Sequence, residues 1–175
     1  MRSDDDLMAD PSGCDELVAR WHPLLLSYFR HTLLDVQRAY DLTQETLFRV
    51  HRERGRYRPE GRFRSWLFRI ARNLLVDEWQ RRCVRLERAP DDLADPGPAP
   101  PDALARDETM KRVHAALAEL APIYREALVL AYFDGVPYSE IAQLTGTTTG
   151  NVAVRVHTAL AQLRDRLRDF SADTS

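Results

Sequence analysis

Eleven arginines stand between Arg52 and Arg85, against four carboxylates, Glu53, Glu60, Asp77 and Glu78. A guanidinium is always charged and presents a planar fork of donors that suits phosphate and carboxylate oxygens. The chain as a whole is slightly acidic, with a formal net charge of -2. So local a polarisation reads as the electrostatic footprint of a nucleic-acid-binding face. A solvated arginine-rich helix is the plainer alternative, and 24 of the 25 basic residues are Arg. Other chemistry is poorly provided for. The sequence has no Gly-rich phosphate loop, no metal-ligand cluster, and five scattered His without nucleophile partners. Cys14 and Cys83 lie far apart and neither belongs to a CxxC pair, so neither a disulfide framework nor a zinc site is expected. The expectation is a binding protein with no catalytic residues, no metal and no cofactor.

The element that must carry the arginines is FRSWLFRIARNLLVDEWQRR, Phe63 to Arg82. Phe63, Trp66, Leu67, Ile70, Ala71 and Leu74 recur at the spacing of one buried helical face. Arg64, Arg69, Arg72, Arg81 and Arg82 fall between them, and unpaired charge does not belong in a core. One side is built to be buried and the other is left for something anionic.

A chain of 175 residues makes one ordinary domain or two small ones. At 44% hydrophobic and 30% charged its composition is globular. No apolar run approaches the ~20 residues needed to span a bilayer, so no membrane insertion is expected. The acidic start MRSDDDLMAD lacks an apolar signal core, which points to a cytoplasmic protein with reduced thiols. Residues 1–12 read as a flexible polar tail. The periodicity predicts a first helix from about Cys14 to His31, with Leu17, Val18, Trp21, Leu24, Leu25 and Tyr28 inward and Pro23 as a kink or break. A second runs from about Val36 to Glu53. Its apolar stripe is Ala39, Leu42, Thr46, Leu47 and Val50, and Asp41, Gln44, Glu45 and Arg49 lie outward. Gly55, Pro59 and Gly61 punctuate a loop before the arginine-bearing helix, which ends near Val84.

From Leu86 to Asp107 the character changes, with five of the ten prolines and six carboxylates against two arginines. This stretch reads as an extended acidic linker, too proline-dense for helix and too poor in apolar surface to fold alone. Beyond it, helices are expected over about Glu108–Leu120 and Pro122–Phe133, the latter with Ile123, Ala127, Leu128 and Leu130 in the core. Then come a short helix (Tyr138–Leu144), a tight turn at Gly146 and a long helix from Thr149 with Thr148 as its N-cap. That succession is the helix-turn-helix signature. Val152, Val156, Ala159, Leu160, Leu163 and Leu167 would be buried. Asn151, Arg155, Thr158 and Gln162 form a polar stripe suited to base edges or phosphates. A generic helical hairpin with a solvated face is the alternative. The fold class is all-α: two small helical domains, residues 13–85 and 108–170, joined by the acidic Pro-rich linker 86–107, the second containing the helix-turn-helix.

Together these stretches resemble the extracytoplasmic-function sigma factors, the minimal two-domain specificity subunits of bacterial RNA polymerase in the sigma-70 family. DLTQETLFRVHR (Asp41 to Arg52) resembles the family's core-binding helix. FRSWLFRIARNLLVDEWQRR resembles its promoter-melting and minus-ten-reading helix. YREALVLAYFDGVPYSEIAQLTGTTTGNVAVRVHTALAQLR resembles its minus-thirty-five-reading domain. The resemblance implies that Asp41, Gln44, Glu45 and Arg49 meet a coiled coil of the polymerase largest subunit. It assigns Arg56 to Arg62 to capture of a flipped minus-ten base, with Tyr57 either stacking on that base or packing under the loop. Asn73 and Asp77 would approach the non-template strand, Arg81 would join the minus-ten contacts, and Trp79 either meets nucleic acid or packs against a neighbour. Trp66 fits core better than wedge. Thr148, Thr149, Asn151, Arg155 and Thr158 would meet the minus-thirty-five duplex. The linker would thread toward the polymerase active centre. The implied partners are RNA polymerase core, through that coiled coil and the flap, promoter DNA and an anti-sigma factor.

The chain departs from the family pattern in its last helix. Ala153 and Thr158 stand where basic residues are common, and Val154 where Ser is common. Pro137 replaces the usual hydroxyl cap of the preceding helix. Fewer phosphate contacts would weaken sequence-independent affinity and flatten its salt dependence. A two-domain DNA-binding regulator that recruits no polymerase, and an interaction module that mimics a sigma factor, are the competing functions. Binding to core polymerase separates the three.

Overall fold

A computed structural model of the chain describes residues 2–88 and 108–172, with side chains described over 2–85 and 111–168. The linker reading therefore lies outside the described residues from 89 to 107. The described residues are helical, without strands. The chain forms two compact units, Met1–Phe29 with Gln37–Gly97 and Arg30–Val36 with Pro98–Ser175.

In the first unit, helices α1 (Asp4–Ala9), α2 (Cys14–Leu33), α3 (Val36–Glu53) and α4 (Phe63–Arg88) follow one another, and α2 passes through Pro23 without ending. Fully buried Leu25, Tyr28, Phe29, Ala39, Leu67, Phe68, Ala71 and Leu75 make the core. Tyr28 meets Phe68 edge-on at 5.5 Å, and Trp21 lies 5.7 Å from Phe63. Thr43 and Thr46 are buried in α3, and each hydroxyl donates to the carbonyl four residues back, Ala39 and Leu42, at 2.7 Å. That contact satisfies a polar group that would otherwise be costly inside a helix. Val18, expected inward, is exposed. The buried arc of α2 is narrower than its apolar content.

The expected N-terminal tail is instead folded. Ser3 and Asp6 form a reciprocal capping box that starts α1, while Leu7 and Met8 are buried. The turn Pro11–Gly13 then brings the chain back so closely that a Cβ on Gly13 would stand 2.5 Å from the Leu7 carbonyl oxygen. Two apolar side chains and a local cap outweigh the three aspartates that suggested a solvated tail.

The second unit holds α5 (Glu108–Ala118), α6 (Pro122–Leu128), a π-helical turn (Val129–Phe133), α7 (Tyr138–Thr145) and α8 (Thr149–Ala172). Leu117, Leu120, Leu128 and Ala159 form its core, with Leu160 and Leu163 packed against them. Ile123, expected in the core, is 44% exposed, because α6 and the turn after it bury Glu126 to Leu130 instead. In the π turn the Asp134 amide donates to Val129 at 3.1 Å, five residues back. Tyr132 and Phe133 are left facing outward.

Candidate nucleic-acid interface

Helix α4 sorts its side chains as its sequence pattern requires. Phe63, Leu67, Ala71, Leu74, Leu75 and Glu78 are buried, and Trp66 and Ile70 lie half-buried at the margin. On the opposite side Arg69, Asn73, Asp77 and Gln80 are exposed at helical spacing, with Arg81 exposed beside them. Trp79 is half-buried. The core includes one carboxylate. Glu78 receives Arg38 of α3 at 2.5 Å and Arg82 at 3.3 Å, with Arg81 at 3.6 Å. Burial by itself would raise the Glu78 pKa, but the hydrogen bonds from Arg38 and Arg82 outweigh it and hold the group below its ordinary 4.5.

The loop before α4 presents Arg56, Arg58, Pro59, Glu60 and Arg62 to solvent. Tyr57 does not point out with them. Its ring packs 4.8 Å from Trp66 and 5.7 Å from Phe63, and its hydroxyl donates to Asp5 Oδ1 at 2.6 Å. Of the two roles open to Tyr57, this geometry is packing under the loop. Arg54 is similarly engaged. Its Nε donates to the Met8 carbonyl at 2.6 Å, and its Nη2 donates to the carbonyls of Leu7 and Asp10. It thereby closes the C-terminal end of α1, where unpaired carbonyls attract a cation.

On α3 the outward face carries the polar quartet. Gln44 and Asp41 are exposed, and Glu45 and Arg49 are half-buried. Asp41 pairs with Arg38 at 3.2 Å, and Glu45 with Arg49 at 2.7 Å. Such surface pairs are worth only about 0–1 kcal/mol and are readily exchanged for a partner's charges. Phe48, 59% exposed, and Tyr40 add apolar surface beside them.

In the second unit Gly146 ends α7 in the left-handed conformation (φ 64°), a geometry that glycine adopts without Cβ strain. Thr148 caps α8 as its position implied. Its Oγ1 accepts from the Asn151 amide at 3.2 Å, and its carbonyl accepts from Val152 at 3.0 Å. Pro137 caps α7 without a side-chain acceptor, and its carbonyl takes the Glu140 and Ile141 amides. Val152, Val156 and Ala159 are buried, and Thr149, Asn151, Ala153, Val154 and His157 are exposed, with Arg155 and Thr158 half-buried. Val154, 63% exposed, lies about opposite the buried face.

The arrangement is thus a basic loop and polar helix strip in one unit and a capped helix-turn-helix in the other. Sequence comparison agrees with both. The model for sigma-70 region 2 matches residues 17–85, and that for sigma-70 region 4 matches residues 110–163. The RNA polymerase sigma factor CarQ of Myxococcus xanthus is 33% identical over 163 residues, 92% of each chain. This chain belongs to the extracytoplasmic-function sigma factors of the sigma-70 family. The sigma factor SigE of Mycolicibacterium smegmatis is 40% identical over 142 residues, 78% of this chain but only 54% of SigE, so the chain spans about half of that relative. The fold is shared with the sigma factor RpoE in its complex with the anti-sigma factor NepR from Bartonella quintana. That match has a TM-score of 0.76 at 21% identity and covers 88% of this chain and 96% of the other.

Sigma factors are initiation factors of transcription, and the chain's family places it in that process. Among the described residues no helix is long and apolar enough to cross a membrane, and no group of three His, Cys, Asp or Glu is placed to hold a metal ion. Sequence reasoning missed Asp5, Arg38 and Glu78, which hold Tyr57, Asp41 and Arg81, and Arg54, which closes α1. Only α1 left a signal, the Ser3-to-Asp6 capping spacing followed by Leu7 and Met8.

Proposed function

We propose that the protein joins RNA polymerase core and directs it to promoters, reading the minus-ten element with its first unit and the minus-thirty-five element with its second. The observation that carries the reading is the exposed strip Arg69, Asn73, Asp77 and Gln80 on α4, opposite a buried face that is apolar except for Glu78 and next to a loop of exposed arginines. Extruded bases need polar edges to bind against, and a strand backbone needs guanidinium partners. Arg56, Arg62, Asn73, Asp77 and Arg81 supply these, with Tyr57 supporting the loop from beneath and Trp79 at the strip's margin. On α8, Thr149, Asn151, Arg155 and Thr158 flank Val154 as a major-groove surface, with Thr148 holding the helix start. Asn suits adenine edges, Arg suits guanine or phosphate, and Val suits the thymine methyl.

Asp41, Gln44, Glu45 and Arg49 form the face offered to the polymerase largest subunit, with Phe48 as its apolar centre. An anti-sigma factor is a further partner by likeness to the RpoE complex. The test is run-off transcription with purified core on a promoter library, alongside the Gln44→Ala/Glu45→Ala double variant. That variant is expected to keep its fold and lose core affinity by at least tenfold, since truncating a buried charged contact costs about 2–5 kcal/mol. Wild-type core affinity in the variant, or promoter binding by the chain without core, defeats the reading.

A further inference from the structure

Asp5 grips the arginine loop at both of its ends. Its Oδ1 accepts from the Tyr57 hydroxyl at 2.6 Å, and its Oδ2 accepts from the Gly61 backbone amide at 2.7 Å. A single carboxylate therefore spans the chain from Tyr57 to Gly61, and the tip between them, Arg58, Pro59 and Glu60, is exposed. The grip comes from a residue more than fifty positions away, and its mounting is itself braced. Ser3 and Asp6 cap α1 at one end, and Arg54 takes its carbonyls at the other. Between them Asp4 receives Arg20 at 2.6 Å and the Trp21 indole N–H at 3.1 Å. Tyr57 is set to donate rather than ionise, because burial first and the Asp5 hydrogen bond second push its phenol above the ordinary range.

The geometry points to Asp5 as the positioning residue of the minus-ten loop: by fixing Tyr57 and Gly61 together it presets the Arg58–Glu60 tip and the flanking Arg56 and Arg62 for one base geometry. The inference rests on the loop's assignment to DNA above. A loop ordered in advance loses less freedom when it closes on a base and tolerates fewer wrong ones. Asp5 therefore serves discrimination between promoters rather than affinity for DNA in general.

The experiment places two promoters in one tube with the complete holoenzyme, identical except for the flipped minus-ten base, and reads the ratio of their transcripts. That ratio is independent of the fraction of folded protein, so a merely structural defect leaves it unmoved. With a mismatch costing about 1–3 kcal/mol, wild type should favour its own base by about 5- to 150-fold. Asp5→Ala should bring the ratio down severalfold, toward one. Tyr57→Phe spares one of the two hydrogen bonds and should fall between. Tyr57→Phe in the Asp5→Ala background should add nothing. Amide exchange at Gly61 in the free protein, expected to accelerate in Asp5→Ala, checks the grip separately. An unchanged Gly61 exchange rate overturns the grip. Faster exchange with an unchanged promoter ratio overturns its role, provided Arg56→Ala and Arg62→Ala do lower the ratio. If those two variants also leave the ratio unmoved, the loop's assignment to DNA has failed, and this inference with it.

Discussion

The two units build their proposed binding faces by opposite means. In the helix-turn-helix the groups that set the face are close in sequence: Gly146 ends one helix, and Thr148 starts the next through the Asn151 amide. In the first unit they are distant: Asp5 holds Tyr57 and Gly61, Arg54 holds α1, and Arg38 reaches Glu78 forty positions away. Duplex DNA offers a regular groove that a rigid helix can enter, so local capping is enough. A flipped base needs a shaped loop, and a loop has no ladder of its own to fix it. Long-range hydrogen bonds take that place.

The sharpest way to break the contrast is functional. Arg155→Ala or Asn151→Ala should lower transcription from intact promoters by about 5- to 150-fold. Much of that loss should disappear on a template already melted at the start site, whereas Asn73→Ala should stay defective on both. Equal losses on the two templates for both classes, with the upstream element retained and opening rate-limiting, would erase the division of labour.

Next in size is the carboxylate at the centre of the first unit. Glu78→Ala leaves three arginines without their shared acceptor and should cost about 2 kcal/mol. Because folding lowers the Glu78 pKa, its contribution is present above about pH 4.5 and fades as pH falls through the lower folded value. Urea unfolding of wild type and Glu78→Gln between about pH 3 and pH 6 should show their gap narrowing toward the acid end. A gap that widens there contradicts the assigned shift.

A smaller effect tests locality itself. Thr148→Ala removes the α8 cap at about 1 kcal/mol, and Thr148→Ser should restore it. Amide exchange should rise in the first turn of α8 and stay unchanged at Gly61. A response at Gly61 would mean that the cap is not a local device. Smallest is the methyl contact. Replacing a contacted upstream thymine by uracil should cost wild type about fourfold, for a methyl worth about 0.8 kcal/mol, and Val154→Ser nothing. A penalty of the same size in Val154→Ser would place the methyl against some other side chain.

The same contrast explains what the sequence allowed to be read. Val36–Glu53, the Gly146 turn and the Thr148 cap depend on neighbours within a few positions, and each stands where periodicity and capping chemistry put it. The all-α class and the sigma-family resemblance held for the same reason, since they rest on helical period and ordered motifs. The packing of Tyr57 could not be read that way, because its hydroxyl partner is fifty-two residues upstream in a stretch whose charges suggested solvent. Ile123 and Val18 misled because apolarity marks a candidate for burial without saying which arc of the helix meets a neighbour.

The π turn at Val129–Phe133 has a consequence for how this unit tolerates change in length. A π turn spreads one more residue over its circuit than an α turn, so the segment holds a surplus residue that leaves the helical path before and after it uninterrupted. Deleting one residue there would let the turn tighten to α and leave the helical register on either side of it unchanged. The turn therefore acts as a length buffer: loss of one residue within these five positions can be absorbed there, whereas loss of one in the regular turns of α6 would rotate what precedes it by about 100° about the axis.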